Sequence, residues 1–574
     1  MEDSNNKVNT IYKEENFAGN PLKIIKLGSD VGATKNMTVY ETANDIIIVD
    51  CGIGFPDSEL FGVDVVIPDV TYLLDNKHKL RGLFVTHAHE DHLGAIPYVI
   101  DELNVPIYAN KLVQGFIKER LKDKYQTAQV ENVSFNLITP ETDEITVGDF
   151  KVKAFGINHS VPSGMGFAIK TPQGTVLHIA DYKIDFTPVL DKPIELGKIA
   201  NYGDAGVLCL LSDCLGVTTE GFTKSERTLN ETFGHFFEKA EGRQIFVTTI
   251  SSNISRMYQI INAAKKYGRK VVFSGRSMEQ SSRVARELGY LPFDDTEFVD
   301  EKEAENYKQD SLVYVIAGCY GQSGSGLERL SRGEHQNIQL MDDALVIFSA
   351  DPNPPGVQEP VERLLHNLTV RGSEVIYSEI QDNLHVSGHG LKGDIMTVTA
   401  LSKAKYYIPI GGTAAKQRAY TNMAKDLGIE RERVFELLEG DVLEFRDGKA
   451  KLGERIEVKP VYIDGRFKKE LSPVVVKDRE QLSEEGVFVA VIPIDASGKL
   501  YPNKVEIVTR GFIYVKSSQA LMDKSRKFIT EKLNKLEKEK DWNSVRRKVE
   551  RDLDKFLFKE TGRSPLIIVH TIVI

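Results

Sequence analysis

The stretch Gly82–His92, GLFVTHAHEDH, sets three imidazoles and the Asp91 carboxylate directly behind a short apolar run that ends at Thr86. The run has the length and composition of a buried strand, and a helix is expected from near Leu93. The hexad His87-Ala88-His89-Glu90-Asp91-His92 therefore occupies a strand-to-helix turn. Side chains crowded on such a turn can point at one spot, and imidazole nitrogens with carboxylate oxygens are ligands of borderline metals such as zinc. The chain holds 12 histidines in 574 residues, so three within one hexad are poorly explained by a solvated loop. The turn reads as a metal centre.

Other apolar runs also end in polar residues: DIIIVD at Asp50, VKAFGIN at Asn158, TVLHIAD at Asp181 and VLCLLSD at Asp213. Separated by helical stretches such as GAIPYVIDELN, they predict an α/β layered protein. Sheets of this kind place their sites at strand ends, which makes His159 and Asp181 further ligand candidates. Between about Gly221 and Glu374 the runs QIFVTTI, KVVFSG, LVYVIAG and ALVIFSA follow helical stretches of their own, which predicts a separate parallel-sheet domain inserted into the first. The first pattern resumes with SEVIYSEI and AKYYIPI, and after about Arg455 a β-rich stretch leads to charged helices and a final strand, LIIVHTIVI. The expected domains are residues 1–213 and 374–455 for the first, 214–373 for the insertion, and 456–574 for a linker and C-terminal domain.

Composition narrows the function classes. Hydrophobic residues at 41% and charged residues at 27% are those of a soluble globular protein. No apolar run reaches the roughly 18 residues of a spanning helix, and MEDSNNKVNTIYKEENF lacks the basic start and apolar stretch of a signal peptide. The expected location is the cytoplasm, with no membrane partner. Cys51, Cys209, Cys214 and Cys319 form no CxxC pair, so they read as reduced, buried thiols. The formal charge of -10 gives no global signature of nucleic-acid binding. Lys504–Arg563 nonetheless carries 17 Lys/Arg against 10 Asp/Glu, which fits either a solvated amphipathic face or an RNA contact.

A His-x-His-x-Asp-His turn with a distant His and Asp is the metallo-β-lactamase pattern. With DCGIGFPDSELFGVDVVIPD before the turn, and LGAIPYVI, HIADYKID, GRSM, SADPNP, HVSGHG and TRGFIYV after it in order, the chain resembles the ribonuclease J family of β-CASP nucleases over nearly its whole length. The resemblance implies an αββα metallo-β-lactamase sandwich, an inserted parallel-sheet β-CASP domain, and a small α+β C-terminal domain that helps oligomerisation. It implies a zinc-dependent ribonuclease working 5′ to 3′ on RNA, with internal cutting as a second mode and a 5′-monophosphate as the preferred end. The expected assembly is a homo-oligomer, dimer or tetramer, or a hetero-oligomer with a paralogue.

Residue by residue, the resemblance implies that His87, His89 and His159 hold one zinc, that Asp91 and His92 hold a second, and that Asp181 bridges the pair. Asp50 is then an orienter of this loop, or else a plain strand-end turn former. His385, Val386, Ser387, Gly388 and His389 become substrate-binding, with His389 the general acid to the leaving oxygen. Ser251, Ser252 and Asn253, which by themselves read equally as a helix N-cap, become contacts to a 5′-phosphate or the RNA backbone, with Arg276 a weaker candidate. Gly62, Asp64 and Asp464 match a structural divalent site, calcium in character, and fit plain surface acids as well.

Two positions depart from the family's pattern. Ser255 stands where a histidine is usual, and Gly411-Gly412-Thr413 follows AKYYIPI where a histidine normally completes the second metal position. A glycine ligates nothing, so weaker occupancy is expected there, with manganese or magnesium favoured. The departure also sustains an alternative, a weakly active or inactive RNA-binding subunit that partners an active paralogue. A hydrolase of small esters or thioesters would need neither the middle domain nor the long tail.

Overall fold

Ile46–Val49 and Val207–Asp213 are buried along their whole length, as strands covered on both faces must be. The computed structural model describes residues 21–28, 34–56, 60, 62–124, 130–350, 358–381, 383–464, 469–495, 499–513, 518–536 and 541–574. Within it these runs belong to two sheets. The first has eight strands in the order Lys449–Leu452, Val442–Arg446, Leu22–Lys26, Thr38–Glu41, Ile46–Val49, Leu80–Phe84, Ile107–Ala109 and Phe135–Leu137. Its last four strands run parallel. The second has six, in the order Tyr406–Ile410, Val207–Asp213, Gly174–Ile179, Met165–Thr171, Phe150–Gly156 and Ile145–Val147.

The two sheets share one core, in which Ile24, Tyr40, Ile47 and Phe84 of the first meet Phe167, Val176, Leu211 and Ile408 of the second. The helices Leu196–Ala205, Lys392–Ser402 and Ala414–Asp426 cover the second sheet's other face through Ile199, Ile395, Val398 and Tyr420. This is the expected sandwich of two sheets between helices. The helix expected near Leu93 starts earlier. A single turn, Glu90–Leu93, begins inside the hexad with two acidic residues at its start, and the longer helix Ile96–Leu103 follows with Pro97 in its first turn.

The insertion is a five-stranded, wholly parallel sheet ordered Lys270–Ser274, Leu312–Ile316, Ile245–Thr248, Leu345–Phe348 and Glu374–Ile376. Its last strand corrects an expectation. Glu374–Ile376 was assigned by its sequence to the resumed first domain, yet it pairs Val375 with Val346 at the edge of the inserted sheet. The helix Gln358–Val370 is the reason, because a strand-helix-strand crossover returns the chain beside the strand it left. Asp351–Pro354 of SADPNP, and Tyr514 and Val515 of TRGFIYV, lie outside the described residues.

By compactness the chain divides into Met1–Phe55 with Val66–Val461, which holds both large sheets and the insertion, and Pro56–Val65 with Tyr462–Ile574. The second unit carries the strands Glu506–Arg510, Val487–Ile494 and Leu566–Val573 and the helices Gln519–Lys535 and Trp542–Thr561. Val545, Val549, Leu553 and Leu557 recur at four-residue steps and enter its core with Phe488 and Ile492. The positive excess after Lys504 thus rides on amphipathic helices whose apolar stripe is buried. No helix among the described residues is long and apolar enough to cross a membrane. All four cysteines are buried and unpaired.

Candidate metal centre

Parallel strands that stop together deliver their following residues to one edge. Val49 pairs with Phe84, so Asp50 and the turn from Thr86 emerge side by side. In the other sheet Asp213 pairs with Ile410 and Ile179 with Ser212, which gathers Asp181, Asp213 and Gly411. The hexad and the aspartates meet at this edge.

His87, His89, His159 and Asp181 form the first ligand group. His87 Nε2 lies 3.1 Å and His159 Nε2 3.0 Å from His89 Nδ1. The opposite ring nitrogens are engaged elsewhere: His87 Nδ1 with Thr86 Oγ1 at 2.9 Å, His159 Nδ1 donating to Gly388 O at 2.6 Å, and His89 Nε2 with Ser160 Oγ at 3.1 Å. Such outer partners fix which nitrogen faces inward. A Cβ at position 388 would lie 2.7 Å from the His159 ring, so only glycine lets that carbonyl approach. Burial pushes all three histidines toward the neutral form, His89 to about 4. Neutral imidazole is the form that binds metal, and three such nitrogens with one carboxylate fit a zinc-like ion.

Asp91, His92 and Asp181 form the second group. His92 Nδ1 donates to Asp50 Oδ2 at 2.7 Å, and the same carboxylate accepts from Thr86 N and Thr86 Oγ1, each at 2.8 Å. Asp50 therefore positions both His92 and the start of the hexad, and it does so at φ 63°, a left-handed conformation that aspartate tolerates better than most residues. Burial opposes charge on His92, but Asp181, Asp91 and Asp50 outweigh it and hold its pKa well above the usual range. An ion held here would have to displace that proton. Gly411 faces this group at φ 71°, and a Cβ on it would stand 3.3 Å from Asp213 Oδ1 and 3.6 Å from Asp181 Oδ1.

The third group is Asp181, Asp213 and His389. His389 Nδ1 bonds Asp213 Oδ2 at 2.7 Å, and its Nε2 lies 3.8 Å from Asp181 Oδ2. Burial lowers the pKa of His389, but Asp213 and then Asp181 raise it further, to about 9. Asp213 is the residue that sequence reasoning missed. Its signal was present, since it ends a buried strand just as Asp50 and Asp181 follow theirs.

The other candidates are distributed more widely. Val386 is buried, and Ser387 Oγ accepts from His389 N at 3.0 Å. His385, lowered to about 3 by burial and then by Arg256, belongs beside a buried ion network, in which Glu226 pairs with Arg256 at 2.9 Å and with Lys183 at 3.1 Å. Asn253 is a helix cap, its Oδ1 accepting from Arg256 N at 2.9 Å, while Ser251 and Ser252 are half-buried in the turn before it. Arg256 Nη1 donates to Ser349 Oγ at 2.6 Å, and Ser349 Oγ donates to Leu384 O at 2.7 Å, which ties this helix to the 385–389 loop. Ser255 is buried and Arg276 is exposed at the start of Arg276–Glu287. In the second unit Arg479 Nη1 donates to Gly62 O at 3.0 Å, and its Nη2 lies 3.5 Å from Asp464 Oδ2. A guanidinium thus reaches both Gly62 and Asp464, and Asp64 N donates to Ile463 O at 3.0 Å.

Three family models match the sequence: the metallo-beta-lactamase superfamily at residues 32–206, the ribonuclease J beta-CASP domain at 241–368, and the ribonuclease J C-terminal domain at 474–574. Ribonuclease J 1 of Streptococcus pyogenes serotype M3 is 34% identical over 553 residues, covering 96% of this chain and 97% of its own. Ribonuclease J2 of Bacillus subtilis is 31% identical over 95% of this chain and 98% of its own. Ribonuclease J of Helicobacter pylori is 33% identical over 99% of this chain and 83% of its own. A solved protein of unknown function from Enterococcus faecalis V583 superposes with a TM-score of 0.51 at 16% identity, over 74% of this chain and 100% of its own, which speaks to the fold alone.

Proposed function

The chain belongs to the ribonuclease J family, and from that membership we propose that it hydrolyses RNA from the 5′ end toward the 3′ end, cutting internally as a second mode, in RNA processing and decay. The observation that carries this reading is the convergence of three inward imidazole nitrogens with Asp181, beside a histidine that a buried aspartate holds. Divalent ions bound by His87, His89, His159 and Asp181, and by Asp91, His92 and Asp181, would supply the charge that acidifies a water and stabilises phosphoryl oxygens, with zinc in the first position.

The chain's own groups do the rest. Asp50 and Thr86 keep the hexad in place, so that reacting atoms meet ligands already arranged. His389 turns its Nε2 toward Asp181 while Asp213 accepts a hydrogen bond from Nδ1–H and holds the ring as imidazolium, which leaves Nε2–H to protonate the leaving oxygen. The hydroxyls of Ser251 and Ser252, in the turn before the helix Ile254–Lys266, hold a 5′-phosphate together with the 385–389 loop. His385 supports this assignment, because its Nδ1 is buried and has no hydrogen-bond partner among the described residues. Asn253 contributes by capping the helix.

The test is to incubate purified protein with RNA bearing either a 5′-monophosphate or a 5′-triphosphate and to resolve product sizes. The monophosphate should be degraded faster, to mononucleotides, and Ser252→Ala should reduce the difference. Equal rates on both ends would argue for internal cleavage alone. Gly411 favours a second reading, an RNA-binding subunit of low turnover that partners an active paralogue. Turnover by the purified chain alone, compared with its mixture with a paralogue, separates the two.

A further inference from the structure

With glycine at position 411, the second ligand group has three side chains where the first has four. A side chain from another element stands beside it. Asn36 precedes the strand Thr38–Glu41, and its main chain is locked to the metal loop: its N–H donates to Asp91 O at 2.9 Å, and its carbonyl accepts from Gly52 N at 3.0 Å. This anchoring sets the terminal amide against the ligands. Asn36 Nδ2 lies 3.1 Å from His92 Nε2, 3.4 Å from Asp91 Oδ2 and 3.1 Å from Asp91 O.

The ligand atoms are spaced in the same way. His92 Nε2 lies 3.3 Å from Asp91 Oδ2 and 3.3 Å from Asp181 Oδ2. Atoms bound about 2.1 Å from one small divalent ion stand roughly 3.0–3.4 Å from each other along tetrahedral or octahedral edges. The end of Asn36 therefore stands at ligand-to-ligand spacing from both His92 Nε2 and Asp91 Oδ2. Asp50 engages His92 Nδ1, so the nitrogen facing Asn36 is the one that would bind metal. An amide ends in nitrogen and oxygen at nearly equivalent positions, and a half-turn of the group exchanges them. With nitrogen inward it donates to the main-chain oxygen and the carboxylate of Asp91; with oxygen inward it presents a neutral lone pair.

We propose that Asn36 is the further protein ligand of the second metal position, taking the place of the histidine that Gly411 does not supply. Its amide turns over between an N–H donor in the metal-free site and an oxygen ligand in the loaded one. The set Asp91, His92, Asp181 and Asn36 is mostly oxygen, which suits manganese or magnesium better than zinc. A cavity lined by Asn36, His92, Asp181 and Gly411 has room for about one water, which adds a coordination position. The inference rests on the metal-dependent reading above and extends it to a residue outside the expected ligand set.

The experiment uses the full chain, stripped by chelator and reloaded with manganese alone, with metal per chain from elemental analysis and ion pairing from electron paramagnetic resonance. Wild type should take up about two ions per chain and show an exchange-coupled pair. Asn36→Ala should stop at about one ion with an uncoupled signal, its second-site affinity down by about tenfold or more, and Asn36→Asp should restore the pair. In wild type carrying asparagine labelled with carbon-13 at the side-chain carbonyl, a hyperfine coupling to manganese is expected, and this holds whether or not the variants fold. Two coupled ions in Asn36→Ala, a wild type that saturates at one ion, or no carbon coupling would each overturn the proposal. No bound metal at all in wild type would overturn the reading on which it rests.

Discussion

Asp213 and His389 form a pair whose consequence is a pH profile. Burial disfavours the imidazolium, but the Asp213 and Asp181 carboxylates outweigh it and lift His389 to about 9. A histidine raised in this way keeps its proton through neutrality and loses it, with the pair's contribution, as pH climbs through the folded value. Divalent ions at the neighbouring ligands oppose the same charge and pull that value down toward neutrality. If His389 is the acid, RNA cleavage falls along an alkaline limb set by it, and Asp213→Asn should move that limb to lower pH by about one unit or more, with metal content unchanged. A pH–rate profile of both proteins decides; an unmoved limb would remove His389 from the role. The ligands themselves predict a different pattern. His89→Ala and Asp91→Ala each delete a donor on a surface turn without emptying the core, so both should fold, lose bound metal, and lose cleavage by orders of magnitude. Cleavage at the wild-type rate by Asp91→Ala would show that this carboxylate is no ligand.

Between the metal edge and the inserted sheet, helix Ile254–Lys266 is held by charges that have no access to water. Arg256, Glu226 and Lys183 are all buried, and Glu226 sits at about 2, since Arg256 and Lys183 outweigh the burial that would raise it. Removing one partner of such a pair is costly because the other charge stays behind, so Arg256→Met should destabilise the fold by about 3–5 kcal/mol. A depressed carboxylate stabilises above its unfolded pKa and loses that contribution as pH falls, so the deficit should be full at neutral pH and shrink below about pH 4.5. Thermal denaturation across that range measures it. The same elements show what a sequence discloses. Asp50, Asp181 and the hexad were legible because each follows a run of apolar residues that can only be a covered strand. Glu374–Ile376 was misassigned because three residues do not specify which sheet they join; the preceding crossover helix decides that. His389 was legible through family resemblance, while Asn36 carries no local pattern and acquires its position only when the first sheet brings it against Asp91.

The first compact unit, Met1–Phe55 with Val66–Val461, holds several apolar clusters, and the second, Pro56–Val65 with Tyr462–Ile574, has a core of its own. In the first, strand ends are spent on the ligand cluster, and the residues there are buried polar groups held by mutual bonds. In the second, the helices Gln519–Lys535 and Trp542–Thr561 cover a three-stranded sheet through an unbroken apolar stripe. Leu553 lies in that stripe with no solvent exposure, so Leu553→Ala leaves a cavity and should cost about 2–5 kcal/mol. A chain of several cores need not unfold in one step, and the loss belongs to the unit that contains the cavity. Calorimetry of Leu553→Ala should therefore show one transition moved down while another stays in place, and elemental analysis should find the wild-type metal content, because the ligand groups found among the described residues include none from 462–574. A single transition that moves as a whole, or metal lost together with the leucine, would mean that the two units are energetically one.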